Sequence, residues 1–307
     1  MIGVAQVASN QSKRNISRWV ERLSTEGKFQ TGAIVIAVAA MILDLIRRRQ
    51  RRLEWANAGR DVVILHGIGR GLYIPSASPY VMKLATYLRM ANIEHKMDIT
   101  EPLGPTGKSP WITINGQSME DSQVIMDFLG SHFNKDFSSH LNDEQKAVAW
   151  LFAVMVEEHL ARHRRWIRDG HQLGLMDIGL CRYLLSWSAA MRMSWKQELM
   201  MAQGIGRHAH PEIESFPRRN FRALSNYLGN KPFLMGDEPC EVDCSLFGWL
   251  VQIKYNYPGS RYGTLLKQVM VLYDYPNLGA YVTRMKELFW PDWDDCLSQH
   301  FINDEID

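Results

Sequence analysis

Cysteine is scarce in this chain, with four in 307 residues, Cys181, Cys240, Cys244 and Cys296, and no Cys-x-x-Cys pair. That excludes a disulfide-stapled secreted scaffold and a dithiol redox centre, and it fits a reducing compartment with free thiols. Net charge is also small, +2 at pH 7, so no overall field favours nucleic acid. Complete nucleotide motifs are missing. Gly67-Ile68-Gly69-Arg70-Gly71 has Leu72 where the third glycine of a dinucleotide fingerprint belongs. Gly107-Lys108-Ser109 ends like a phosphate-binding loop, but Pro102 replaces its first glycine and Pro110 follows where a helix should open. What the chain does have is length for two ordinary domains and enough apolar residues, 46%, to bury real cores.

Residues 1–30 form a polar, basic segment carrying Lys13, Arg14, Arg18, Arg22 and Lys28. The apolar run that follows, from Ala33 to Leu43 and on to Asp44-Leu45-Ile46, is shorter than the roughly 20 residues that span a bilayer comfortably. Flanking arginines can snorkel, so 31–52 is expected to form a single membrane-anchor helix with a basic flank; the other reading is a buried helix. Arg47, Arg48, Arg49, Arg51 and Arg52 outweigh the basic residues just before the run, which puts the later domains in the cytoplasm by the positive-inside rule. The same cluster could serve as a targeting or anionic-lipid patch. The membrane itself stays open among mitochondrial outer, endoplasmic reticulum and endolysosomal.

Residues 60–135 read as strand, helix, strand, strand, strand, helix, the order of a thioredoxin-like domain. Val62-Val63-Ile64-Leu65 is the first strand; Ser78 caps a helix with Pro79 at its first position and Val81, Leu84, Ala85 and Leu88 on a buried face. The start of such a helix carries partial positive charge and favours a thiolate or other anion. Glu94 to Ile99 is a second strand, Trp111-Ile112-Thr113-Ile114 a third, Asn115-Gly116 a tight hairpin turn and Gln117-Ser118-Met119 the returning strand. Ser109-Pro110 falls where that fold needs a cis proline, which exposes the preceding backbone to a peptide-like ligand. Asp121 or Ser122 then starts another helix.

From Asn142 the pattern is helical, so 140–295 is expected to be an all-helical domain, with 296–307 as a tail. Helical runs are expected from Asn142 to about 168 and at about 179–203, 212–229, 241–255, 261–273 and 277–290. Asp143 and Glu144 suit the first turn of the helix capped by Asn142, and Asp243 can reach back to the backbone N–H of Cys240. His159 and His163 beside Glu157 and Glu158, and His208-Ala209-His210, lack a third metal ligand and are read as surface histidines. Cys240 and Cys244 are read as small buried hydrophobes, with a soft-metal pair as the other reading.

Ser76-Ala77-Ser78-Pro79-Tyr80, Lys83, Leu88-Arg89-Met90, Ser109-Pro110, Asn115-Gly116, Asp121-Ser122 and Lys231-Pro232-Phe233-Leu234-Met235-Gly236-Asp237 occur in the order and spacing of a known group. Over roughly 60–295 the chain resembles the glutathione transferase superfamily. Within it the likeness is to the failed-axon-connections family, which includes nematode cadmium-responsive proteins and is related to metaxins. The resemblance implies an α+β architecture: a thioredoxin-like domain, then an all-helical transferase domain, here preceded by the anchor. It implies glutathione as ligand or co-substrate, with Asp121 and Ser122 holding the γ-glutamyl group and Ser109, before cis Pro110, pairing with the cysteine. Ser78 stands at the catalytic position, where glutaredoxin-like relatives have a cysteine, and Val81 at the second cysteine; both departures remove thiol–disulfide exchange by the protein itself. Ser78 would then stabilise a glutathione thiolate, with Tyr80 and Tyr73 as further donors, or act only as an N-cap. A glutathione-conjugating protein and a non-catalytic adaptor both remain open, the latter with protein partners or a second copy, and the family implies roles in axon development and cadmium or stress responses.

Overall fold

The computed structural model describes residues 38–160, 201–255 and 272–298, apart from positions 40, 44, 72, 203, 205, 206, 209 and 273. They fall into two units, Met1–Gly59 and Arg60–Asp307. In the first, the described residues at 38–39, 41–43 and 45–56 are helical, with Met41, Ile42, Leu45 and Ile46 exposed. The single-pass anchor expected over 31–46 is overturned: among the described residues no helix is long and apolar enough to cross a membrane. Even a wholly helical run of that length would cover about 20–25 Å at 1.5 Å per residue, short of the roughly 30 Å hydrocarbon core. The helix then continues directly into Arg47-Arg48-Arg49. Residues 1–37 lie outside the described residues. The cytoplasmic placement of the later domains rested on the anchor and goes with it.

The second unit begins with β1 (Val63–His66), whose four residues are all buried. Then come α1 (Pro79–Met90), β2 (His95–Asp98), β3 (Trp111–Ile114), β4 (Gln117–Glu120) and α2 (Ser122–Phe133). The sheet order is β2-β1-β3-β4, with β1 and β2 parallel and β3 antiparallel to both β1 and β4. Asn115 and Gly116 turn the β3–β4 hairpin at φ 50° and 78°, the left-handed conformations that a two-residue turn matching strand twist demands. This is the thioredoxin-like order, and Ser109-Pro110 is cis.

The helical part opens with α3 (Asp143–Val154), whose cap is reciprocal: Asn142 accepts from the Gln145 N–H and Gln145 returns the bond to the Asn142 N–H. α3 runs into a π-helical turn over Met155–Leu160. α4 (His210–Leu228), α5 (Glu241–Tyr255), α6 (Pro276–Phe289) and the short α7 (Trp293–Ser298) follow. The helices expected at about 179–203 and 261–273 lie almost wholly outside the described residues. Asp243 is fully buried and accepts from the Cys240 N–H at 2.9 Å, as expected, and also from the Leu234 N–H and the Tyr281 hydroxyl, each at 2.9 Å.

α1 packs against α5 at close range, and Gly248 is the reason. A Cβ there would meet the Pro79 carbonyl oxygen at 2.5 Å and the Lys83 backbone nitrogen at 2.9 Å. Residues from Pro79 to Leu88, apart from half-buried Tyr80, are buried, so α1 is covered by the sheet on one side and by helices on the other.

Candidate functional site

Two helix starts open onto one cleft. Ser78 caps α1 in extended backbone, φ −100° and ψ 123°, and its Oγ accepts from the Val81 N–H at 3.4 Å. The segment before it is pinned: Ser76 Oγ donates to the Ile68 carbonyl at 2.6 Å and accepts from the Ser78 N–H, while Gln252 Nε2 on α5 donates to the Ser76 carbonyl. Asp121 caps α2 by accepting from the Gln123 N–H at 3.1 Å, at φ 78°, a conformation costly for a residue with a Cβ. Its other oxygen lies 3.6 Å from Lys108 Nζ.

A cleft of about 490 Å³ is lined by Ile68, Ser78, Tyr80, Lys108, Ser109, Pro110, Asp121, Ser122, Glu157, Glu158 and Trp249, among others. Ser78 and Ser122 are buried at 6% exposure each, so their hydroxyls have little competition from bulk water. The Ser109 hydroxyl is buried with no hydrogen-bond partner among the described residues. Both helix starts bring positive potential and unsatisfied backbone N–H groups to the cleft, a setting for anionic groups.

Five of the sequence-predicted residues, Ser78, Ser109, Pro110, Asp121 and Ser122, thus come together. Tyr80 is also in the lining, but its hydroxyl already donates to the Glu157 carbonyl at 3.1 Å, and its ring meets Trp249 edge-on at 5.5 Å. Tyr73 is 52% exposed and lies outside the lining.

A cluster beside the cleft escaped sequence reasoning as a site. Lys83, 1% exposed in the middle of α1, donates from Nζ to Glu157 Oε1 at 2.6 Å and to Gln123 Oε1 at 2.9 Å. Ser245 of α5 donates to the same Glu157 oxygen at 2.6 Å. Glu157 sits on the π-helical turn, a distortion frequent at functional sites. The available signal was Lys83 itself: a lysine within an apolar helical stripe needs a buried partner.

Other candidates resolve differently. The described residues contain no group of three His, Cys, Asp or Glu able to hold a metal. His159 Nδ1 pairs with Asn220 Nδ2 at 2.6 Å, and His163 lies outside the described residues. Burial, reinforced by the Asp243 carboxylate, pushes the Cys240 and Cys244 thiols up, so both stay protonated and poor soft-metal ligands.

Comparison with known proteins follows the same division. Residues 79–169 match the glutathione S-transferase N-terminal domain family and 218–285 the glutathione S-transferase C-terminal domain family. Failed axon connections from Drosophila melanogaster is 31% identical over 275 residues, covering 81% of this chain and 63% of that protein. Mouse metaxin-2 is 24% identical over 69% of this chain and 82% of its own length. The chain belongs to the metaxin-related, glutathione transferase-like family. It spans just under two thirds of Failed axon connections, so the rest of that protein has no counterpart in the match. The isoprene-epoxide glutathione S-transferase of Rhodococcus is 28% identical over 74% of this chain and 99% of that enzyme. Among solved structures, the beta-etherase LigF from Sphingobium superposes with a TM-score of 0.51 at 14% identity, over 76% of this chain and 98% of that one. At that identity the likeness speaks for the fold.

Proposed function

We propose that this protein binds glutathione in the cleft between the starts of α1 and α2, with the thiol beside Ser78. The observation that supports this reading is the convergence on one cleft of Ser78, Ser109, Pro110, Asp121 and Ser122, residues remote in sequence. Ser122 and the start of α2 would hold a carboxylate of the γ-glutamyl end, and the backbone before cis Pro110 would pair with the cysteine. Ser78 can do two things at once. Its oxygen accepts from Val81 while its proton remains available to a sulfur. A thiol of ordinary pKa near 8.5 ionises more readily at a helix start that offers such a donor. Ser78 is not assigned as a nucleophile, since among the described residues no histidine lines the cleft to take its proton.

The held thiolate would attack an electrophile, forming a carbon–sulfur bond as a leaving group departs or an epoxide opens. The Rhodococcus relative, named for glutathione transfer to isoprene epoxide, is the support for that step. Titration calorimetry of the full chain with glutathione tests the reading. Wild type binds and Asp121→Ala weakens binding about tenfold, having lost the cap that orders the start of α2. Ser78→Ala binds within a few-fold of wild type but turns over an epoxide about ten- to a hundredfold more slowly. No binding at millimolar glutathione would sink the proposal.

A second reading, a non-catalytic adaptor, draws on a different observation. Val124 on α2 and Trp150, Leu151 and Val154 on α3 are exposed, Leu151 to 65%. Exposed apolar residues at helical spacing on α3, Trp150, Leu151 and Val154, suit a protein partner or a second copy. Roles in axon development or in cadmium and stress responses would fit either reading.

A further inference from the structure

We infer that Glu157, from the helical domain, is a ligand-binding residue of the cleft, and that the group it takes is a primary ammonium. The inference rests on the glutathione reading and deepens it. Glu157 lines the cleft, yet only one of its carboxylate oxygens is committed. Oε1 accepts from Lys83 Nζ and Ser245 Oγ, both at 2.6 Å, while no hydrogen bond among the described residues reaches Oε2. The backbone carbonyl of the same residue is fixed by the Tyr80 hydroxyl. Two donors, one from α1 and one from α5, hold the carboxylate, and a third fixes the backbone behind it. Oε2 is left without a partner among the described residues, on a side chain that lines the cleft.

The other two carboxylates of the lining are more exposed than Glu157. Asp121 gives one oxygen to the Gln123 N–H and the other to Lys108. Glu158 is exposed. Lys83 also places Glu157 next to the start of α2, because its ammonium touches Glu157 Oε1 and Gln123 Oε1 together. An amino-acid head group, carboxylate and ammonium on one carbon, needs donors and an anionic acceptor side by side. Ser122 supplies a donor and Glu157 Oε2 the acceptor. The helical domain then takes part in recognising the γ-glutamyl end, as well as forming the wall against which a second substrate would rest.

The test compares glutathione with its desamino analogue, glutaryl-cysteinyl-glycine, which lacks only the ammonium, by titration calorimetry on the full chain. Wild type should prefer glutathione by about tenfold or more, the scale of one charge-assisted hydrogen bond. Glu157→Gln, which keeps size and an oxygen for Lys83, should bind glutathione about tenfold more weakly and the analogue within about twofold of wild type. Glu157→Asp should recover part of the preference. Equal loss for both ligands would make Glu157 a purely structural residue and overturn the inference. A preference that survives in Glu157→Gln and vanishes in Asp121→Asn would overturn it in favour of Asp121. If wild type binds both ligands equally, the inference falls without any variant being needed. If wild type binds neither, the glutathione reading itself has failed.

Discussion

Ser78 shows how far a single residue can be read from sequence. Its position after a loop and before Pro79 made it a helix cap, and the cap is present. What the string could not show is that the hydroxyl oxygen is bonded while its proton has no acceptor among the described residues. Lys83 is the converse case. In the sequence it stood only as one residue of the family pattern, and its partner Glu157 is remote in the chain with no local spacing to connect them. His66 and Asp98 form another buried pair of this kind. His66 Nδ1 lies 2.9 Å from Asp98 Oδ2 and Nε2 3.0 Å from the Thr113 hydroxyl, and the ring stacks on Trp111 with centroids 3.7 Å apart. Burial opposes ionisation of Asp98, but bonds from His66, Thr100 and the Glu101 N–H outweigh it and hold the carboxyl below its usual range. A carboxylate with a lowered folded-state pKa contributes stability that is complete above its unfolded value, about 3.9. That contribution is lost as pH falls through the lower folded value. Urea unfolding of wild type and Asp98→Asn between pH 6 and pH 2.5 should therefore show a gap that narrows below about pH 4. A gap independent of pH would mean that Asp98 does not stabilise through its charge.

At the scale of elements, the thioredoxin-like half was legible because its signals are local. A serine–proline start, an Asn-Gly turn and a Ser-Pro junction each dictate backbone geometry within a few residues, and the order of elements along the chain followed from them. The π-helical turn and the Gly248 contact left no such trace, since both depend on what packs opposite. The anchor over 31–46 failed on its length: snorkelling arginines had to make up for an apolar run short of a bilayer span, and the described helix runs on into those arginines without gaining apolar residues. Gly248 gives a test in which two effects oppose each other. Alanine in a helix interior gains up to about 1 kcal/mol in propensity over glycine. Its Cβ would, however, meet backbone atoms of α1 at 2.5 and 2.9 Å, and backbone cannot swing aside. Overpacking of that sort costs typically about 1–3 kcal/mol, so Gly248→Ala should be net destabilising by about 1–2 kcal/mol. The urea midpoint reports this directly, and a rise in midpoint would show that α1 and α5 can separate cheaply.

For the whole molecule, α1 decides whether the two domains are separable. Its sheet-facing residues belong to the first domain, but the rest of its surface is completed by the second. Trp290 Nε1 donates to the Thr86 hydroxyl at 3.0 Å, and Arg89 lies 4.0 Å over the Trp290 ring. Arg89 also grips Asp292 with both guanidinium ends, at 2.5 and 2.9 Å, and Lys83 reaches Glu157. A fragment of residues 60–139 would leave Lys83 with its cation facing solvent across an apolar surface and would expose the Pro79 and Thr86 side of the helix. Replacing water on that side is a large part of what orders α1, because an isolated twelve-residue helix is marginal without packing. The fragment should therefore show weak near-ultraviolet circular dichroism and a poorly dispersed amide spectrum, whereas the full chain unfolds Arg60–Asp307 in one cooperative transition. A fragment that folds cooperatively alone would mean that the cleft is built by the first domain and only roofed by the second. The role argued for Glu157 would then have to be carried by a contact that the first domain does not need in order to fold.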